Sequence, residues 1–374
     1  MSSQFDKAFE TLGNDPAAYG PRNRLLYWLD KGMVAHLAGK MPESIAAFEQ
    51  AENLSAQLYT KSASQIASTW IVNDTKEDYR SDEQEYLMVN VFQAFNFAKQ
   101  GNLEEALVEA RRMDDKLKFI GDRYKNPFTY FLSGLLWHVS QESNARQDAL
   151  IDYQRALELY ENPPKVLKDL IASVSTNRDN PRKAKLFVIE YTGLIPIKVA
   201  DAIPVPLDQT HITQISFPRY VDRHNAVVSS KVRVKSNDIA YVKSTEVVSD
   251  LGAMARKILQ ERKVAMMTKA AVRPMLKYAA EKAIEVPVRD KMGDLAGDIF
   301  GILGSIYNVV SEQADLRSWH TLPDEIRLVV FELDAGDYDV DVEDLAASGV
   351  LVAKNSLERI TLRPGEVKFL IAHR

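Results

Sequence analysis

Three stretches of this chain repeat one spacing of small and aromatic residues. Trp28, Gly32, Gly39, Phe48 and Ala51 make the first copy. Ala94, Phe97, Gly101, Ala106 and Ala110 make the second, and Gly134, Trp137, Ala149, Tyr153 and Ala156 the third. These are the offsets of the tetratricopeptide helix pair. Small residues let two antiparallel helices touch, and aromatics fill the space between successive pairs. Such a pattern commits residues 22–160 to stacked helical hairpins. Stacks of this kind bind partners far more often than they catalyse.

The first hairpin is expected at 22–54, with Gly39 and Pro42 between its helices; Pro42 suits a first helical turn, where no amide hydrogen is needed. Residues 1–20 read as a short lead-in. Between Gly39 and Gly101 the chain carries about 28 residues more than one 34-residue period. That insertion is expected to form a helix from Ala56 to Ile71 and a turn at Asn73-Asp74. Hairpins at 86–119 and 127–160 follow, then a capping helix at 165–174.

After Asn177-Arg-Asp-Asn-Pro181 the character changes. Leu186-Phe-Val-Ile-Glu-Tyr191 reads as a buried strand. Ile195–Val199, Ile212–Phe217, Lys231–Val234 and Ile239–Val242 read as further strands. Residues 246–285 and 290–314 return to helical periodicity. From Pro323 the pattern is β again, at Ile326–Leu333, Tyr338–Val342, Val350–Ala353, Ile360–Leu362 and Val367–Ala372. The expected fold is therefore α+β. A helical repeat domain over 1–180 precedes a β-rich domain over 181–374, with a helical insertion at about 246–320 between strand blocks that share one sheet system.

The 374 residues suffice for two or three domains, and a net charge of −5 gives no general attraction to nucleic acid. Cysteine is absent, which removes disulfides, thiolate metal sites and a cysteine nucleophile together. No apolar run reaches the roughly 20 residues of a membrane span. The six histidines have no zinc-type spacing, and no phosphate loop, nucleophile elbow or dinucleotide fingerprint is present. No cofactor is expected.

Several strings carry a family resemblance. They are Trp70-Ile-Val-Asn-Asp74, the block Gln93–Arg112, Asn126–Gly134, Ala149-Leu-Ile-Asp-Tyr153, and above all Glu312-Gln-Ala-Asp-Leu-Arg-Ser-Trp319 with Thr321-Leu-Pro323. Across nearly its whole length the chain resembles a family of bacterial envelope proteins with tetratricopeptide-like repeats. Members of that family usually resemble lipoproteins with a leader and an acylated cysteine; this sequence shows neither, and the resemblance implies a periplasmic, outer-membrane-associated location if a leader has been removed. It implies other envelope lipoproteins as candidate partners and no enzymatic activity. A cytoplasmic location is the alternative.

Candidate sites follow from the same pattern. The concave face of the stack is expected to be lined by Met33, His36, Val91, Phe95, Phe131, Leu135 and His138. This apolar surface would either hold a partner or be filled by the chain itself. Gly293, Gly297, Gly301 and Gly304 suit close helix packing or self-association. Seven basic residues within 251–280 (Arg256, Lys257, Arg262, Lys263, Lys269, Arg273, Lys277) suit anionic lipid, an acidic partner, or simple cover of an apolar helix. Glu104, Glu105, Glu109, Arg111 and Arg112 suit an ion-pair seam or a solvated face. Asp337, Asp339 and Asp341 alternate with apolar residues, as on any half-buried strand, and lack the loop spacing of a calcium site. These features together point to a non-enzymatic protein-interaction scaffold of the envelope. The alternative is a ligand-binding protein or enzyme with its site at the junction of the two halves.

Overall fold

The computed structural model describes residues 2–62, 77–118, 120, 125–176, 180–206, 212–237, 239–263 and 314–373. The fold is α+β, a helical stack followed by a β-sandwich. A lead-in helix α1 (Ser2–Leu12) precedes three antiparallel hairpins, α2–α3 (Arg24–Leu37, Met41–Ser62), α4–α5 (Glu83–Lys99, Leu103–Leu117) and α6–α7 (Pro127–Val139, Ala145–Leu159), and α8 (Lys165–Thr176) follows them.

The repeat residues do the work their spacing implies. Gly32 lies so close to Phe48 that a methyl group there would meet the ring at 2.5 Å, and Gly134 stands in the same relation to Tyr153 at 2.6 Å. In the middle hairpin Ala94, Ala106 and Ala110 are fully buried and serve the same close approach. Gly39 and Gly101 take left-handed backbone at the ends of α2 and α4. The following amides then reach back to Ala35 O and Phe97 O at 2.9 Å, closing each helix with a Schellman turn. Asp82 and Glu85 form a reciprocal capping box at the start of α4, and Asn126 caps α6 ahead of Pro127. The helix expected at 56–71 is instead the end of α3, which runs unbroken to Ser62; the rest of that stretch lies outside the described residues.

Eleven strands are described: β1 (Ala184–Thr192), β2 (Ile197–Pro206), β3 (Ile212–Val221), β4 (Ser229–Ser236), β5 (Ile239–Ser244), β6 (Glu246–Asp250), β7 (Glu325–Leu333), β8 (Gly336–Leu345), β9 (Leu351–Ser356), β10 (Ile360–Leu362) and β11 (Val367–His373). The first sheet has the order β11-β1-β7-β6, with β1 and β11 parallel and the other pairs antiparallel. The second places β4 between β5 and β8, with β9 and β10 on the far side of β8. β2 and β3 form a separate hairpin. Both strand blocks contribute to both sheets.

Residues 246–250 form strand rather than helix. Glu246–Asp250 pairs with β7 around a bulge at Val248, and the helix begins only at 251. That helix buries Leu251, Ala255 and Ile258 and is described to residue 263.

One strand explains how the halves join. Leu186 and Val188 of β1 face Val232, Val234, Val340 and Val342 across the sandwich. Phe187, Ile189 and Tyr191 point the other way, into a second cluster shared with Phe92, Phe95, Phe128 and Phe131 of the helices. β1 is thus buried on both faces, which is why its sequence is a near-continuous apolar run.

Candidate functional site

The concave face of the stack is not an open groove. Met33, His36, Val91, Phe95, Phe131 and Leu135 are all buried, and each is 3% exposed or less. The first sheet covers them, with Ile189, Ile326, Leu328 and Phe369 against Phe95, Phe131 and Leu135. The void left between these layers is about 10 Å³, no more than the room of one water probe. Two complementary apolar surfaces on one chain bury each other at an effective concentration that no dissolved partner can match. The seventh position, His138, lies at the rim. Its ring nitrogens meet Tyr153 Oη at 3.2 Å and Lys185 Nζ at 3.0 Å.

His36 fastens the two halves together. Its Nδ1 lies 2.6 Å from Asn96 Oδ1, and its Nε2 lies 3.0 Å from Tyr191 Oη of β1. Asn96 Nδ2 donates to Ser44 Oγ at 2.9 Å, so its oxygen is the end facing His36. His36 therefore donates from Nδ1 and accepts the tyrosine proton at Nε2. Ser44 completes the chain by donating to Gly32 O at 2.7 Å. Burial lowers the His36 pKa to about 3, so the ring is neutral throughout the physiological range.

A second fastening is made by residues 315–322, just ahead of β7. Trp319 is fully buried, with its ring centroid 5.8 Å from that of Phe48 and 5.9 Å from that of Phe92. Its backbone amide donates to Glu85 Oε1 at 2.7 Å. The other oxygen of Glu85 receives Tyr79 Oη and, at 3.3 Å, the amide of Asp82. Thr321 Oγ1 donates to Asp30 Oδ1 at 2.8 Å and accepts the Trp319 indole proton at 2.9 Å, while Tyr19 Oη donates to Asp30 Oδ2 at 3.0 Å. Arg317 is held by Asp315 and reaches Asn23 Oδ1 and Glu77 O, both at 3.1 Å. Lys198, on the β2–β3 hairpin, donates to Arg317 O at 3.1 Å.

Burial raises both helix acids that hold residues 315–322, Asp30 of α2 to about 6 and Glu85 of α4 to about 7. Their hydrogen-bond donors oppose the shift without cancelling it. Burial also lowers His320, assisted by the nearby charges of Arg223 and Lys198. Shifted acids beside a histidine at a domain junction are the usual mark of a reactive centre. Here the carboxylate oxygens are occupied by donors from the same chain, which makes them anchor points.

The remaining candidates separate cleanly. Glu109 is buried, accepts Asn90 Nδ2 at 2.7 Å and pairs with Arg112 at 2.8 Å. Lys116 joins the same internal network through Asn90 and Glu52. Glu104 and Glu105 stay exposed, and Arg111 pairs with Glu142 at 3.2 Å. These last residues rim a cleft of about 870 Å³ between the α4–α5, α6–α7 and β10–β11 turns. Asp337, Asp339 and Asp341 do share the outer face of β8, with Tyr338, Val340 and Val342 buried beneath. Thr361, Arg359, Ser356 and Lys354 partner them, and no metal-binding group of side chains occurs among the described residues. Arg256 pairs with Asp222, Arg262 pairs with Glu83, and Lys263 covers the Phe217 ring. Lys269, Arg273, Lys277 and the glycines Gly293, Gly297, Gly301 and Gly304 lie outside the described residues. Among the described residues no helix is long and apolar enough to cross a membrane.

Asp30, Glu85, Asn96 and Tyr191 were not singled out by sequence reasoning. Two signals were available: the Asp82-x-x-Glu85 capping box, and an asparagine inside an otherwise apolar stretch of α4. Comparisons with protein-family models, with curated proteins and with solved structures find no match.

Proposed function

We propose that this chain is a non-enzymatic protein-interaction scaffold of the bacterial envelope, with its partner surfaces on the outside of the block and not in the concave groove. The observation that carries this reading is the use made of buried polar groups at the junction. His36, Asp30 and Glu85 each bind a residue of the opposite half, so these three buried polar groups tie the halves together. A rigid block with clefts on its exterior suits a platform for other proteins. The envelope assignment follows from the family resemblance, with other lipoproteins as candidate partners.

A photo-crosslinking residue placed at Glu105 or Glu142, on the rim of the large turn-side cleft, tests the reading in cells. Discrete protein adducts that appear at these positions, and not at exposed control positions on β8, are expected. Absence of adducts at both positions, and at the β7 cleft described next, would remove the scaffold reading.

A further inference from the structure

The chain from Ile239 to Asp250 belongs to two sheets in turn. As β5 it pairs with β4 up to Ser244. At Thr245 it crosses over, held by its amide on Ser230 O at 3.0 Å and its hydroxyl on Glu190 at 2.9 Å. As β6 it joins β7 only from the Glu246–Leu328 pair onward. The crossing leaves five residues of β7, Val329–Leu333, paired to β1 on one side. On their other side no strand lies among the described residues.

The direction of the open edge is fixed by one contact. Lys243 Nζ donates to Val330 O at 2.8 Å, so the Val330 carbonyl points outward. Backbone groups of alternate residues share a direction in a strand, so Val330 and Glu332 both aim N–H and C=O at this side. Facing them is a cleft of about 570 Å³, with Val166 and Leu170 of α8 on one wall, Lys243 and Glu246 on the other, and Leu328 and Val330 at its floor.

The charges in the cleft are unequal in their commitments. Lys165 pairs with Asp169 at 2.8 Å, Glu246 accepts the Val166 amide at 3.2 Å at the start of α8, Lys185 lies 3.0 Å from His138 Nε2, and Glu332 turns an exposed side chain to solvent at the end of the edge. Lys243 has no carboxylate partner among the described residues, and its ammonium occupies the place a strand N–H would take.

We infer that this cleft takes an extended segment of a partner protein, added as a strand along β7 at Val330–Glu332. The incoming N–H replaces the Lys243 ammonium on Val330 O. An acidic side chain of the segment then pairs with the released Lys243, and an apolar one packs against Val166 and Leu170. Strand addition of this kind draws affinity from main-chain bonds and selectivity from alternate side chains. The inference rests on the scaffold reading and names the chemistry of one of its partners. The rival outcome is that Lys243 only guards an exposed edge against association.

The test uses the full chain and fluorescein-labelled heptapeptides that alternate valine and threonine, with or without a central aspartate. Anisotropy should show saturable binding of the aspartate peptide, at least tenfold tighter than the uncharged one. Lys243→Glu should reverse the preference, in favour of a peptide with a central lysine. Amide hydrogen exchange should find Val330 and Glu332 fast without peptide and protected with it, while Val329 and Phe331 stay slow throughout. Val330→Pro, which removes the outward N–H and leaves the β1 pairing, should abolish binding. Absent binding, binding that ignores Lys243→Glu, or slow exchange at Val330 and Glu332 without peptide would overturn the inference. Crosslinks at Glu105 or Glu142 with no peptide binding would refute strand addition and leave the scaffold reading standing.

Discussion

Replacing Trp319 with alanine tests whether the two halves share one core. The indole is fully buried, yet it arrives from the β side of the chain and sits among helical aromatics, Phe48 and Phe92. Truncating a buried tryptophan to alanine costs about 3–5 kcal/mol, with the upper half of that range expected where the surroundings cannot collapse. Phe48 is itself pinned against Gly32, so it has little room to move. The lost indole bond adds little, because Thr321 keeps its bond to Asp30. For 374 residues the unfolding entropy near 60 °C is about 0.8 kcal/mol per kelvin. At about 4–5 kcal/mol the melting temperature should therefore fall by about 5–6 °C. Scanning calorimetry of the parent and the variant should show a single transition in each, because helices and sheet lose the same contacts. A loss below about 1 kcal/mol, or separate helical and β transitions in the parent, would refute the shared-core argument.

Further perturbations probe the fastenings and the hairpins. Because burial raises Glu85 to about 7, the folded chain holds a proton that the unfolded chain releases between about pH 4.5 and 7. Stability from this group is complete below that window and declines as pH rises through it, by at most about 1.4 kcal/mol per pH unit. Glu85→Gln should flatten the decline, which urea unfolding at pH 5 and pH 7 can measure; an unchanged slope would contradict the assigned shift. Tyr191→Phe leaves the His36 Nε2 acceptor buried without a donor and should cost about 1–3 kcal/mol in denaturant melts. Gly134→Ala drives a methyl to 2.6 Å from the Tyr153 ring and 3.1 Å from Ala149 O. It should lower stability by about 1–3 kcal/mol despite the better helix propensity of alanine, and a stabilised variant in a thermal melt would disprove the close-packing role.

What could be read in the sequence was mostly local. Gly32 against Phe48 and Gly134 against Tyr153 are contacts within single hairpins, so their spacing survives in one dimension. The strands from Leu186 to Val367 carry alternation or apolar runs that do not depend on their neighbours. Glu246–Asp250 reads as helix in one dimension because five residues beside a helical stretch have no pattern of their own. Their strand character comes from β7, about eighty residues downstream. The apolar concave face was legible, but its occupant was not, since nothing in Phe95 or Leu135 says which surface will cover them. A hint lay in the near-continuous apolar run Leu186–Tyr191, interrupted only at Glu190, which suits a strand covered on both faces. Asp30 and Glu85 looked like ordinary charged helix residues until residues 315–322 were placed over them.

The side-by-side placement of β1 and β11 also bears on how the molecule is made. Phe369 stacks on Phe187, with ring centroids 4.8 Å apart, although some 180 residues of chain separate the two strands. The helical hairpins can form from local contacts, but the cover of their inner face includes Phe369 from a far later strand. Until β11 docks beside β1, part of that apolar face stays open, so a partly folded chain that lacks this strand should be prone to association.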